Sequence, residues 1–167
     1  MAQALEVLKI RRSVRAFSDK ALAPELIENI VDSARFAATA RNEQPWEFVA
    51  ICDQKVLMAI AGLADNGKFI AQAKACIAVF CRDTKYYLED GCAATENILL
   101  AATALGVGSC WVAGDKKPYS SNVSVLLKAP ASLKLVSLVA LGWPKEKDGF
   151  SPAEKRPLKD VLHWEGF

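Results

Sequence analysis

The run Ala75–Cys81 (ACIAVFC), bounded by Lys74 and Arg82, is apolar at every position. A run of that length with no polar alternation reads as a central strand buried on both faces. Such a strand needs neighbours at its edges and apolar helices over both faces.

The rest of the chain supplies candidates for each. Residues 47–52 (EFVAIC) read as a strand ending at Asp53, and 109–113 (SCWVA) as a short one. Residues 135–142 (LVSLVALG) form a third apolar strand, closed by Gly142-Trp143-Pro144. Residues 2–12 carry Leu5, Leu8 and the stem of Lys9 at helical spacing and run into a basic cluster. Pro24 suits the first position of a second helix, whose stripe is Leu26, Ile27, Ile30, Val31, Ala34 and Ala38. A third helix spans 54–63, ending at Gly62 or just after. The longest runs from Tyr86 to Leu105. Its Ala93, Ile98, Leu99, Ala102 and Leu105 lie nearly all round it, which predicts a buried helix stopped by Gly106. Ser120 or Ser121 caps a helix reaching Lys128, and a charged loop (KEKDGFSPAEKR) leads to a short final strand or turn. Strands and helices mix without strict βαβ alternation, which predicts an α+β fold. With no repeat or linker, the 167 residues read as a single domain, 1–167.

Charge and cysteines narrow the function. A net charge of +2 excludes a polycation, and no aromatic interleaving supports nucleic-acid binding. The five cysteines are odd in number, and the spacing C-x4-C-x10-C fits neither a zinc ribbon nor the plant-type iron–sulfur pattern. They read as buried free thiols in a reducing cytosol. The first twelve residues have no apolar signal core, and no apolar run approaches the ~20 residues of a membrane helix. A soluble, cytoplasmic protein is expected.

Four segments carry polar chemistry. Residues 11–17 (RRSVRAF) place three guanidinium groups and a hydroxyl beside apolar chain. They are either an exposed basic turn or a phosphate cradle, since arginine forks match phosphate oxygens. Residues 38–46 (ATARNEQPW) offer Asn42 and Gln44, whose amides both donate and accept, as a heterocycle edge requires. In 105–114 (LGVGSCWVAG) the G-x-G lies after a helix and before a strand, the reverse of a dinucleotide fingerprint. Gly108 therefore reads as a close-packing position, and Ala113-Gly114 as backbone that meets a ligand. Residues 154–159 (EKRPLK) return Lys155 and Arg156 near the chain end. The sole histidine, His163, reads as a packing residue, and Glu89, Asp90 and Glu96 as carboxylates facing solvent or an interface.

Taken in order, RRSxRxF, NxQPW, LGxGSCW and the closing LGWPKEK…KRPLKDVLHW resemble the nitroreductase superfamily of FMN-dependent oxidoreductases, over nearly the whole chain. The resemblance implies a mostly antiparallel central sheet flanked by helices, an intertwined homodimer, and a flavin shared between subunits. By that pattern Arg11, Ser13 and Arg15 meet the phosphate and ribityl chain, with Arg12 alongside. Ala38, Thr39, Ala40, Asn42 and Gln44 come from the partner and border the isoalloxazine and ribityl groups. The backbone of Val112, Ala113 and Gly114 addresses the polar edge of the ring, and Arg156 with Lys155 the phosphate. The chain departs from the family in having Ala38-Thr39-Ala40 for Pro-Ser-Ala, and in lacking the inserted helices that cover the flavin in longer members.

The implied activity is ping-pong transfer from NADH or NADPH through FMN to an electron-poor acceptor such as a nitroaromatic or quinone. No catalytic side chain is expected, because the cofactor carries the chemistry. The alternative is a flavin protein of the same fold with another role: flavin fragmentation, reductive dehalogenation, or flavin sensing or carriage. Trp143, Phe150, Trp164 and Phe167 are candidates to pack against a second copy.

Overall fold

The computed structural model describes residues 4–145, 150 and 152–167. Four strands, β1 (Trp46–Ile51), β2 (Ala75–Arg82), β3 (Gly108–Ala113) and β4 (Leu133–Gly142), form one sheet in the order β1-β2-β4-β3. All three pairings are antiparallel. The helices are α1 (Ala4–Ile10), α2 (Pro24–Ala34), α3 (Gln54–Leu63), α4 (Tyr87–Ala104) and α5 (Ser120–Leu126). Short 3-10 turns cover Ala40–Asn42, Lys68–Gln72 and Leu158–Asp160.

Strand periodicity explains why β2 is apolar throughout. Cys76, Ala78 and Phe80 face one layer, built from Leu57 and Ile60 of α3, Ile70 of the second 3-10 turn and Val123 of α5. Ala75, Ile77, Val79 and Cys81 face the other, built from Ile27, Ile30 and Ala34 of α2 and Ala94, Ile98, Leu99 and Ala102 of α4. Both sides of the strand are dry, so neither parity can be polar.

The β4 register shifts opposite Val79 and Phe80, leaving Val136 as an extra residue. Val136 O then accepts from both Gly114 N (2.9 Å) and Asp115 N (3.1 Å), so the bulge ends the pairing with β3 and turns the chain away. Beside it, the Thr95 hydroxyl donates to Gly91 O at 2.7 Å and lies 2.8 Å from Ser137 Oγ, both buried. With the threonine proton committed to Gly91, Ser137 is the donor of that pair.

Most boundaries match the sequence expectations within two residues, and several details do not. The α2 stripe ends at Ala34, so Ala38 lies outside it, and in α1 it is Val7 that is buried while Leu5 and Leu8 are exposed. Leu105 is exposed at the end of α4. α5 begins at Ser120 with Tyr119 before it and makes no serine cap. The tail forms a 3-10 turn and no strand. Trp143 and Phe150 are half-buried, Trp143 Nε1 donating to Ala21 O at 3.1 Å. Residues 1–3 of the first expected helix, and 146–149 and 151 of the charged loop, lie outside the described residues. Among the described residues no helix is long and apolar enough to cross a membrane, and no group of three metal-ligating side chains occurs.

The cysteines divide by burial. Cys76, Cys81 and Cys110 are buried, Cys92 is half-buried and Cys52 is exposed, against the expectation that all five are buried. Burial pushes the Cys76 and Cys81 thiols up to about 12, with the Asp90 carboxylate adding to the effect on Cys81. At pH 8 an aromatic disulfide reagent is expected to titrate Cys52 first in the native protein, with Cys76 and Cys81 reacting only after denaturant is added. Fast labelling of all five thiols without denaturant would contradict this packing.

Candidate ligand site

RRSVRAF is an extended segment fastened to the end of the sheet. Ser13 bridges Ser109 in parallel, with Val14 N donating to Ser109 O at 2.9 Å, and Phe17 bridges Pro144. Lys145 N donates to Ala16 O, and Ser18 N to Trp143 O. Val14 and Phe17 are buried, whereas Arg12 and Arg15 are exposed and Arg11 is half-buried.

Two glycines make this docking possible. Gly108 and Gly142 are register partners on β3 and β4. A Cβ on Gly108 would sit 2.8 Å from Val14 Cγ1, and one on Gly142 would sit 2.8 Å from Phe17 Cδ1. The missing side chains are the sockets into which the two apolar anchors fit. With Val14 and Phe17 seated there, Arg15 between them and Arg12 just before them are left exposed.

The outcome is a basic cavity of about 270 Å³ lined by Arg11, Arg12, Ser13, Arg15, Ala153 and Lys155. Among the described residues its lining carries four cations and no carboxylate. Glu96 of α4 holds Arg11 by its Nε edge (3.3 Å), and Arg15 stacks over the Phe69 ring at 5.8 Å. The buried Cys110 thiol lies against the Ser13 hydroxyl beneath the cluster. Burial raises its pKa, opposed by Arg15, Ser13 and Arg11. Phe69 and Glu96 carry no motif, and Cys110, though part of LGxGSCW, was not foreseen in this role. Arg156 does not line the cavity; its guanidinium donates to Asp160 O at 2.7 Å.

Further along β3, the Gly114 N to Val136 O bond sets the parity of the ladder. Residues 108, 110, 112 and 114 bond toward β4, so the N–H groups of Trp111 and Ala113 face the open edge of the sheet. The carbonyls of Ala113 and Gly114 accept the hydroxyls of Tyr119 and Ser120. Val112 and Gly114 are buried and Ala113 is exposed. Ala113 thus presents a fixed donor roughly 13 Å along the strand from the Ser13–Ser109 bridge, at about 3.3 Å per residue.

Residues 38–44 lie elsewhere. They lead into Trp46, which pairs with Cys81, whereas Ser109 lies level with Leu141 and Ala75. By strand spacing, Trp46 and Ser109 sit at opposite ends and opposite edges of the sheet, on the order of 25 Å apart, while Ala40 and Arg11 are both held by α4, at Asp90 and Glu96. Arg41 (φ 55), Asn42 (φ 57) and Gln44 (φ 46) all occupy the left-handed region, which costs about 1 kcal/mol or more for each such residue. Thr39 Oγ1 accepts from Gln44 N at 3.1 Å, and Arg82 donates to Glu43 O (2.7 Å) and Gln44 O (3.1 Å). Asp90 Oδ1 accepts from Ala40 N at 3.2 Å. Asp90 is 5% exposed, against the expectation of an outward carboxylate.

With this geometry in place, comparison with known proteins is informative. Residues 8–83 match the "Nitroreductase family", and residues 59–166 match "Putative TM nitroreductase". A "Putative NADH dehydrogenase/NAD(P)H nitroreductase" of Archaeoglobus fulgidus is 36% identical, with 99% of each chain covered. The crystal structure of a protein of that same description from Parabacteroides distasonis has a TM-score of 0.92 at 26% identity, covering 100% of each chain. A "putative nitroreductase in complex with fmn" from Desulfovibrio desulfuricans has a TM-score of 0.83 at 28% identity, covering 100% of this chain and 99% of that one.

The cradle makes a prediction of its own. Inorganic pyrophosphate at about tenfold its Kd is expected to raise Tm by several degrees through linkage. The shift should shrink with added salt and vanish in Arg15→Ala. Gly142→Ala, which touches no ligand, should lower stability by about 1–3 kcal/mol by unseating Phe17 and should weaken the same shift. Thermal scans with and without pyrophosphate check both; an unchanged shift in Arg15→Ala would contradict the cradle.

Proposed function

The chain belongs to the nitroreductase family, and from that premise we propose that it is an FMN-dependent NAD(P)H oxidoreductase acting as a homodimer. The observation that carries the reading is the cradle: four cations and a hydroxyl around a phosphate-sized cavity, in line with an outward backbone donor on β3. A flavin mononucleotide has a phosphate at one end and a planar heterocycle with acceptor atoms at the other, and the spacing suits it.

When bound, FMN would accept a hydride equivalent from NADH or NADPH and pass two electrons to a second substrate. The protein's contribution is then binding and electrostatics. Arg11, Arg12, Arg15 and Lys155 would neutralise the phosphate, with the Ser13 hydroxyl completing its shell and Arg156 nearby on the same tail. The Ala113 N–H, flanked by Val112 and Gly114, would fix the ring's polar edge. Its orientation costs nothing at the moment of reaction, because the ladder and the bulge already hold it.

None of residues 38–44 lines this cavity in the single chain. A second copy could bring its own Ala38, Thr39, Ala40, Asn42 and Gln44 over the open β3 edge. The tail supports such an arrangement. Leu158, Val161, Leu162, Trp164 (81% exposed) and Phe167 are bare in the single chain, far more apolar surface than a short tail leaves in water without a partner. The resulting cleft would admit a nicotinamide, then a flat electron-poor acceptor such as a nitroaromatic or quinone, one after the other.

The test begins with the visible spectrum of the purified protein and the identity of the chromophore released by heat. FMN, a dimeric mass by light scattering, and bleaching by NADH or NADPH under nitrogen are expected. Arg15→Ala and Arg156→Ala should each release flavin more readily than the wild type. A colourless protein that stays colourless with added FMN overturns the reading. Bound flavin that neither nucleotide reduces would instead point to a flavin-binding role without this donor.

A further inference from the structure

We propose that Asp90, together with Arg82, is the positioning pair that presents residues 38–44 to the flavin held by the other copy, so that flavin affinity depends on side chains that never touch it. The inference rests on the shared-site reading above.

Asp90 stands in the first turn of α4, where a carboxylate favours the helix dipole from any exposed position. This one is instead 5% exposed, and its Oδ2 has no hydrogen-bond partner among the described residues. Burying a carboxylate with half its acceptor capacity unused is expensive, and the helix does not need it. What the burial achieves is one long-range bond, from Ala40 N to Asp90 Oδ1, across 50 residues of sequence. That bond lands at the start of the turn whose next residues, Arg41 and Asn42, have positive φ.

Arg82 grips the other end of the same turn. Its guanidinium donates to the carbonyls of Glu43 and Gln44, and its backbone N donates to Pro45 O at 2.9 Å. A strained turn persists only where its surroundings over-determine it. Here the surroundings are a buried acceptor on α4, a surface cation at the end of β2, and the Thr39 hydroxyl within the turn. Two of the three holds come from elements already fixed by the core. The strain is therefore stored against a rigid frame, and the polar side chains of Asn42 and Gln44 stay exposed and pre-set.

The experiment compares the FMN Kd, by fluorescence quenching, of the wild type, Asp90→Ala, Asp90→Asn, Arg82→Ala and Arg15→Ala. Each protein is first shown by circular dichroism to be folded at the working temperature. Asp90→Ala is expected to weaken FMN about tenfold, the loss of one bond to a charged acceptor. Asp90→Asn keeps an acceptor oxygen and should return the Kd to within about twofold of wild type, and Arg82→Ala should weaken binding several-fold. Amide exchange at Ala40 should quicken in Asp90→Ala and not in Asp90→Asn. A role confined to stability would lower the apo-protein Tm and leave the Kd unchanged, which overturns the proposal, as would Asp90→Asn losing as much affinity as Asp90→Ala. If Asp90→Ala does not fold, exposed Arg82 decides alone, and an unchanged Kd in Arg82→Ala overturns the pairing. Loss of flavin in Arg15→Ala with none in the other variants would remove this inference and leave the site standing. Wild-type affinity in Arg15→Ala would remove the site and the inference with it.

Discussion

The contact between two missing side chains and two apolar ones underlies the rest of the site. Val14 and Phe17 enter the sheet end only because Gly108 and Gly142, side by side on adjacent strands, leave space for them. Three guanidinium groups repel one another and prefer water, so nothing in their own chemistry would hold them together. The apolar anchors do that work. Burying two hydrophobic side chains contributes roughly 3–6 kcal/mol, enough to hold the segment against the mutual repulsion of partly solvated charges. The arginine cluster is in this sense a by-product of core packing, and its position is as fixed as the core.

The same logic governs the other end of β3. An antiparallel ladder commits alternate N–H groups to its neighbour and leaves the others at the open edge. The bulge at Val136 ends the ladder after Gly114 with one carbonyl accepting two N–H groups, so the strand stops there without an unpaired buried amide. The Tyr119 and Ser120 hydroxyls take the next two carbonyls. Around Ala113 the inward backbone groups and the Ala113 and Gly114 carbonyls have partners, while the N–H groups of Trp111 and Ala113 point to the open edge. On the proposed reading, the outward Ala113 donor would meet the polar edge of the flavin ring.

Much of this was legible in the sequence where a single period dominates. Ala75–Cys81 declared a strand buried on both faces because both parities are apolar, and Ile98, Leu99 and Ala102 of α4 declared a buried helix by their apolar spacing. RRSVRAF and the glycines of LGVGSC were legible as charge and as close packing separately. Their relation was not, because Val14 meets Gly108, and Phe17 meets Gly142, across more than 90 residues, and pattern reading sees only neighbours. Asp90 was misread for a related reason. A charged residue in a helix's first turn is ordinarily solvated, and only the return of Ala40 to that spot makes burial possible. The α2 stripe overran to Ala38 because alanine fits a helix and a loop equally well, and the chain leaves the helix where Arg35 pairs with Asp32 and Phe36 turns outward.

The two halves of the candidate site differ in how they are held, and the difference follows from where they sit. The cradle lies on the sheet, rests on core contacts and carries no positive φ among its lining residues. The 38–44 turn lies beyond the end of β1, carries three left-handed residues and depends on polar bonds at its margins. On the proposed function, a site that would bind FMN firmly and admit two substrates in turn would benefit from that division. The rigid half can hold the phosphate throughout, where movement would only lose affinity. The turn would present exposed side chains such as Asn42, held in place by the bonds at its margins. Since none of residues 38–44 lines the cradle in one chain, the proposed homodimer would draw the two halves from different copies. In that arrangement folding one subunit would build two half-sites, and association would complete them.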